Sequence, residues 1–490
     1  MTGAVENGAI KVATVWTTLE FVLGSLLGVF FIAVLARLLT PEDFGTFALL
    51  AIFLGIATAL IEGGFGLALI QNQDTTDDDN ATVFWISLAS AAVFAGALAA
   101  AAPLISGFFE IPALKPLVLI TSVTVLISGL GIVHRALLVK RLAFRVLTLI
   151  NITALVVSGV LAIALAWFGY GVQTLAWQGL AFAFATSTLL WINGRWTPAF
   201  VFHLSSARRL FGFGGYMFAS TLLEVSYSKA YTLLIGNFYG PPELGQFSRA
   251  ESASQMVTGL VAVPISKVAF PAFSQMRGDP DRLRNGLQRA VPMSMLFNAA
   301  AMLTLAVVAR PFVLTVFGPQ WEQAAQILPL LALGALLMPL HVLNLQVLMA
   351  LGRADLFLVL EIIKKVLGVA ILIFSVRYGV FGIAWGLIAG GLISFFINVW
   401  YSGIMLDYGP IKQMVQIIPS LAVGIMSASA AYVAMGVITV QTPILLLFAG
   451  LCASATALIG IVGIMWYFGY DLTGFLPDAR RKRKTLGRNL

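Results

Sequence analysis

The sequence predicts an all-α polytopic membrane protein, with about fourteen transmembrane helices in two six-helix lobes and two additional C-terminal helices. Three observations carry this expectation: an apolar composition spread along the whole chain, hydrophobic windows that tile it, and a turn that occurs twice. Of the 490 residues, 60% are hydrophobic and only 10% charged, with a mean hydropathy of +0.96. Soluble domains carry about 25% charged residues, so no ordinary globular core explains this balance. Because the excess is not confined to one segment, a soluble enzyme on a single anchor is excluded as well.

A membrane helix needs roughly 20 apolar residues. Windows of that kind lie near 13–36, 46–70, 82–106, 115–138, 147–169, 173–193, 210–236, 247–273, 289–313, 323–350, 355–376, 380–402, 411–436 and 443–469. The breaks between them carry Pro, Gly or charge, as at Asp74 to Asn80, Glu110-Ile111-Pro112, Arg277-Gly278-Asp279-Pro280 and Gly318-Pro319. No connecting loop is long enough to fold as a separate domain. The first window lacks a basic leader and a small-residue cleavage site, so it reads as a retained helix.

The duplicated turn organises these windows. Pro41, Asp43, Phe44, Gly45 and Phe47 fall opposite Pro241, Glu243, Leu244, Gly245 and Phe247 with no gap. In each copy Pro sets φ, the acidic residue suits the first turn of the following helix, and Gly lets two backbones approach. A second match lies on nearly the same register: Tyr170-Gly171-Val172 with Ala176-Trp177 is echoed by Tyr378-Gly379-Val380 with Ala384-Trp385. Two separate matches on nearly one register argue for internal duplication. The expected divisions are 1–205 and 206–405 for the two lobes, 406–470 for two additional helices, and 471–490 for a basic tail. Six windows precede the second turn, so the lobes should share one orientation, related by a pseudo-two-fold axis along the membrane normal.

Charge sets the orientation. With the N-terminus inside, about twenty of the 29 basic residues fall on one side against roughly five on the other, including Arg135, Lys140, Arg141, Arg145, Arg277 and the tail from Arg480 to Arg488. Both termini are therefore expected in the cytoplasm. The net charge of +8 is accordingly a topology signal and an anionic-lipid contact, and not a nucleic-acid footprint. The single cysteine, Cys452, excludes a disulfide framework and a thiolate metal cluster. His134, His203 and His341 are far apart in sequence, and no metal or cofactor is expected.

Arg37-Leu38-Leu39-Thr40-Pro41-Glu42-Asp43-Phe44-Gly45, followed by Glu62-Gly63-Gly64-Phe65-Gly66-Leu67-Ala68-Leu69-Ile70-Gln71, resembles the N-terminal signature of Wzx-type polysaccharide flippases. That family belongs to the multidrug/oligosaccharidyl-lipid/polysaccharide exporter superfamily, with the MATE and MurJ-type transporters. The resemblance implies an undecaprenyl-diphosphate-linked oligosaccharide as substrate, moved from the inner to the outer leaflet of the bacterial inner membrane by alternating access. It implies a role in exopolysaccharide or lipopolysaccharide biosynthesis, beside a polysaccharide polymerase and a chain-length regulator. Fourteen spans, more than the twelve of many relatives, point toward the exopolysaccharide-exporting branch.

Ionisable groups within membrane windows are costly and so are functional candidates. Glu20 and Glu224 occupy corresponding windows of the two lobes, about one helical turn apart in the repeat alignment. Either could take up a proton or Na⁺ as the coupling group, or hydrogen-bond a neighbouring helix as glue. Glu62, Gly63, Gly64 and Gly66 form a candidate gate, because glycines loosen a helix where protein or water covers its backbone; close helix packing is the alternative. Lys229, Lys364 and Lys365 are the candidate substrate contacts, since lysines in a water-filled cleft would stabilise a lipid diphosphate. Glu361 stands three and four residues before Lys364 and Lys365, in favourable ion-pair geometry, and still leaves one positive charge over. His341 reads as a core residue, and Arg37 and Arg310 as snorkelling side chains.

Two other functions compete. A MATE-type drug/cation antiporter shares the architecture, but would favour an acidic cleft over lysines. A membrane polysaccharide polymerase or ligase would show a long external loop bearing arginines, which this chain lacks. No Gly-rich phosphate cradle or nucleophile elbow appears either.

Overall fold

The computed structural model describes residues 2–62, 69–70, 75–204, 228–438 and 442–467, with 222 and 225 as isolated positions. Among them there is no strand. The helices are α1 (Thr2–Leu38), α2 (Pro41–Glu62), α3 (Asp77–Phe108), α4 (Leu114–Gly129), α5 (Ile132–Lys140), α6 (Phe144–Trp167), α7 (Gln173–Gly194) and α8 (Ala230–Phe238). They continue as α9 (Pro241–Gln275), α10 (Pro280–Val307), α11 (Ala309–Val316), α12 (Glu322–Gly334), α13 (Met338–Ala350), α14 (Ala354–Ser375), α15 (Gly379–Leu406), α16 (Pro410–Val437) and α17 (Pro443–Tyr467). Every expected window outside 210–236 has a helix over it. Nine helices among the described residues are long and apolar enough to cross a membrane, or ten if the bent pair α4 and α5 is one span. The chain is a multi-pass membrane protein.

Helix starts follow from local chemistry. Thr40 and Asp43 form a reciprocal cap on α2: Asp43 N–H donates to Thr40 Oγ1 at 3.2 Å, and Thr40 N–H donates to Asp43 Oδ2 at 2.9 Å. Thr76 and Asp79 repeat this at the start of α3. The second copy of the turn has Gly240 where the first has Thr40, and takes a φ of +86° there, a conformation open to glycine that Thr40 does not adopt. In the other repeated motif, Gly171 and Gly379 both take positive φ, +54° and +80°, immediately before α7 and within the start of α15.

The chain divides into two compact units, 1–248 and 249–490. In the first, α1 packs along α6, α3 along α4, and α7 against both α4 and α6. The two repeated turns meet here. A methyl group at Gly45 would overlap the Pro241 carbonyl and come within 2.8 Å of the Gly245 nitrogen; one at Gly245 would overlap the Pro41 carbonyl and come within 3.1 Å of the Gly45 nitrogen. The contact is reciprocal, Gly45 against Pro241 and Gly245 against Pro41. In the second unit, α16 lies along α10, α17 packs on α16 and α11, and α15 packs on α12, α13 and α14.

Several helices are broken in mid-run, and side chains from neighbours satisfy the freed backbone. Between α4 and α5 the axis bends by 40°. There Ser187 Oγ and Trp191 Nε1 of α7 donate to the carbonyls of Ile127 and Leu130, at 2.8 and 2.9 Å. Between α12 and α13, buried Asn298 of α10 donates from Nδ2 to the carbonyls of Ala335 and Leu336, at 3.2 and 2.8 Å. The Ile127 and Ala335 carbonyls also accept backbone N–H groups, from Leu130 and Met338 at 3.1 Å each, so the Leu336 carbonyl is the one that depends on the Asn298 side chain.

Candidate functional site

The ionisable candidates of the second unit are brought together on α14. Lys364 Nζ lies 2.5 Å from Glu361 Oε1 and Lys365 Nζ lies 4.0 Å from Glu361 Oε2, so one carboxylate serves two ammonium groups. All three are largely buried, with side-chain exposures of 11% for Lys364, 12% for Lys365 and 20% for Glu361. Two ammonium groups thus share one carboxylate, on a helix whose remaining residues are mostly apolar (Ala-Asp-Leu-Phe-Leu-Val-Leu-Glu-Ile-Ile-Lys-Lys-Val-Leu).

A buried polar network lies in the same unit. His341 Nδ1 of α13 is 3.2 Å from Asn398 Nδ2 of α15, and within electrostatic range of the Lys364 ammonium. Ser402 Oγ donates to Asn344 Oδ1 at 2.5 Å, and Asn344 and Gln413 exchange reciprocal amide hydrogen bonds of 3.0 Å. Asn344, Ser402 and Gln413 are fully buried. Their pairing ties α13, α15 and α16 together, since a buried amide left unpaired costs about 1–3 kcal/mol.

In the first unit, Glu20 of α1 is held by α6. Asn151 Nδ2 donates to Glu20 Oε1 at 2.6 Å, and Thr148 Oγ1 approaches Glu20 Oε2 at 3.1 Å and the Trp16 carbonyl at 3.3 Å. Helix glue is thus one role the residue performs. Lys229 precedes α8 and is half-buried, and its N–H donates to the Val225 carbonyl at 3.1 Å. Glu224, Gly63, Gly64, Gly66 and the Glu62 side chain lie outside the described residues. Arg310, expected to snorkel, is largely exposed and donates from Nε to Glu322 Oε1 at 2.8 Å.

Sequence reasoning did not single out Thr148, Asn151, Asn298, Asn344, Asn398, Ser402 or Gln413. The available signal was a lone amide or hydroxyl in an apolar window; its partner, more than 50 positions away in most cases, was not visible.

Comparison with known proteins identifies the family. The family described as "Polysaccharide biosynthesis protein" matches residues 34–326. The teichuronic acid biosynthesis protein TuaB of Bacillus subtilis is 29% identical over 348 residues, covering 70% of this chain and 71% of that protein. The lipopolysaccharide biosynthesis protein WzxC of Escherichia coli is 25% identical over 392 residues, covering 78% and 80%. Among solved structures, the lipid II flippase MurJ in an inward closed conformation superposes with a TM-score of 0.74 at 15% identity, covering 92% of this chain and 98% of MurJ. An inward-facing MATE family transporter gives 0.61 at 17% identity, covering 78% and 94%. At these identities the structural likeness establishes a shared fold. With a match across more than half its length, this chain belongs to the polysaccharide biosynthesis protein family.

Proposed function

We propose that the protein is a lipid-linked oligosaccharide flippase, moving undecaprenyl-diphosphate-linked repeat units from the inner to the outer leaflet by alternating access. The observation that carries this reading is the Glu361, Lys364 and Lys365 triad, two largely buried ammonium groups gathered on one apolar helix. The substrate's diphosphate is an anion that must cross a low-dielectric medium, and fixed cations lower that cost without covalent chemistry. Lys229 is proposed as a separate substrate contact. The family match, and the named roles of TuaB, WzxC and MurJ, support the same substrate class. A MATE-type cation antiporter has the fold but fits the triad poorly, because two lysines to one carboxylate repel its substrate.

The two halves, 1–205 and 206–405, act as rocking lobes, with 406–470 appended and 471–490 as a basic cytoplasmic tail. The reciprocal packing of Gly45 and Gly245 supports a two-fold relation between them. Both termini face the cytoplasm of a bacterial inner membrane, and a polymerase and a chain-length regulator receive the exported unit. Glu20, with Glu224, couples transport to a proton or Na⁺ gradient, and the glycines after Glu62 serve as a gate. The test is disruption of the gene: lipid-linked repeat units should accumulate on the cytoplasmic face and disappear on complementation. Normal surface polymer with no accumulated intermediate overturns the proposal.

A further inference from the structure

The bend between α4 and α5 opens a cavity of about 270 Å³ in the first unit, walled by α4, α5 and α7. Hydroxyls of Thr124, Ser128, Thr186 and Ser187 line it, with Arg135 at its rim, and no acidic residue among the described residues contributes to the wall. Most of these hydroxyl protons are committed. Thr124 donates to the Ile120 carbonyl at 3.0 Å, Ser128 to the Thr124 carbonyl at 2.9 Å, and Ser187 to the Ile127 carbonyl at 2.8 Å. Thr186 Oγ1 is different: it is buried and has no hydrogen-bond partner. The Arg135 guanidinium likewise makes no ion pair or hydrogen bond among the described residues. The side chains with protons still to give are thus Thr186 and Arg135, the second a permanent cation. The first N–H groups of α5, which have no intrahelical partners, begin at Ile132 in the same wall.

We propose that this cavity binds the phosphate-bearing head group of a membrane lipid, with Arg135 and Thr186 as its ligands. Charge and donor balance select an anion, and a guanidinium forks onto phosphate oxygens. The volume is below the roughly 300–1,000 Å³ of drug-sized ligand sites, so a phosphate with a glycerol fits while an oligosaccharide does not. Arg135 lies five residues before the end of α5, about 7.5 Å along the axis, and the following turn adds Lys140 and Arg141, consistent with head-group depth. The site is distinct from the lysines of α14 and does not depend on transport. Two lipid classes share the chemistry: a resident anionic phospholipid, and the polyprenyl diphosphate carrier.

The test is lipid-induced thermal stabilisation of the full-length protein in detergent, with dioctanoyl phosphatidylglycerol, dioctanoyl phosphatidylcholine, farnesyl diphosphate and inorganic phosphate as probes. Phosphatidylglycerol, farnesyl diphosphate or both should stabilise the wild type, and which one does assigns the source. Arg135→Gln should weaken that binding at least tenfold, Arg135→Lys less, and Arg141→Gln hardly at all. Gly179→Leu supplies a separate handle: a Cβ there meets nothing within 4 Å, and the added side chain fills the cavity. Leucine also suits a helix better than glycine, so this variant should fold normally and lose the lipid response. The proposal is overturned if Arg135→Gln and Gly179→Leu respond as the wild type does, if only inorganic phosphate binds, or if phosphatidylcholine binds equally well. Because the readout is binding, it can succeed in a protein that does not flip anything, and fail in one that does.

Discussion

Gly45 and Gly245 are the positions where the duplicated turn makes its strongest structural claim, and an alanine at either tests it. Each added methyl would meet a backbone carbonyl, Pro241 or Pro41, so no side-chain rotation relieves the overlap. Overpacking against side chains costs about 1–3 kcal/mol, and against backbone the upper end is expected. Both glycines lie within helices, α2 and α9, where alanine gains about 1 kcal/mol in intrinsic propensity. The net loss is then about 2 kcal/mol for each variant, roughly thirtyfold in the folded population. At Gly259, also in α9, an added methyl would meet nothing within 4 Å, so Gly259→Ala should be neutral or stabilising. Because both clashes separate the same two helix starts, the double Gly45→Ala/Gly245→Ala variant should lose clearly less than the sum of the singles. The assay is thermal unfolding of purified protein in detergent. Strict additivity, or two glycine variants as stable as Gly259→Ala, would refute the close reciprocal packing and with it the main structural support for a two-fold relation.

Asn298→Leu should destabilise the fold by about 1–3 kcal/mol, because it strips the donor from the Leu336 carbonyl at the α12 and α13 break while Ala335 keeps the Met338 N–H; the same thermal assay reads it. Lys229→Ala and Lys365→Ala should each reduce polymer export while the protein still reaches the membrane, with arginine rescuing in part because the charge persists. Normal polymer output from the double alanine variant would remove these lysines from the mechanism. Glu20→Gln should fold as the wild type does, since a glutamine oxygen can accept from Asn151 while its amide donates to Thr148. It should nonetheless lose the dependence of flipping on an imposed proton or Na⁺ gradient. A Gln variant that still responds to the gradient places the coupling group elsewhere.

The parts of this molecule that were legible in the sequence are those whose cause is local. The apolar windows gave helices because nothing but a helix satisfies its own backbone in lipid. The Pro41 and Pro241 turns were readable because Pro, an acidic residue and Gly each have a job within five positions. Glu361 announced its pairing with Lys364 and Lys365 through helical spacing alone. What remained hidden depends on distant chain. The break at Ala335 to Leu337 is flanked by Gly334 and Pro339, but the side chain that meets its Leu336 carbonyl, Asn298, lies some forty residues earlier. The partners of Glu20, Thr148 and Asn151, sit across the first unit on α6, and a lone Thr and Asn in an apolar run do not say what they face. Arg135 read as one more topological charge, because a cavity formed by a bend and a second helix leaves no periodic trace.

The central claim is that an anionic lipid-linked oligosaccharide crosses the bilayer through this protein. The direct measurement is flipping of a fluorescent undecaprenyl-diphosphate oligosaccharide in vesicles holding the purified chain, read by protection from an external glycosidase. A potential supplies about 2.3 kcal/mol per charge per 100 mV, enough to bias an alternating-access cycle more than tenfold. The account predicts rapid exchange in wild-type vesicles, accelerated by a proton or Na⁺ gradient, and loss of exchange in the Lys364→Ala/Lys365→Ala variant. Exchange no faster than in empty vesicles, together with gradient-driven uptake of an organic cation, would contradict it.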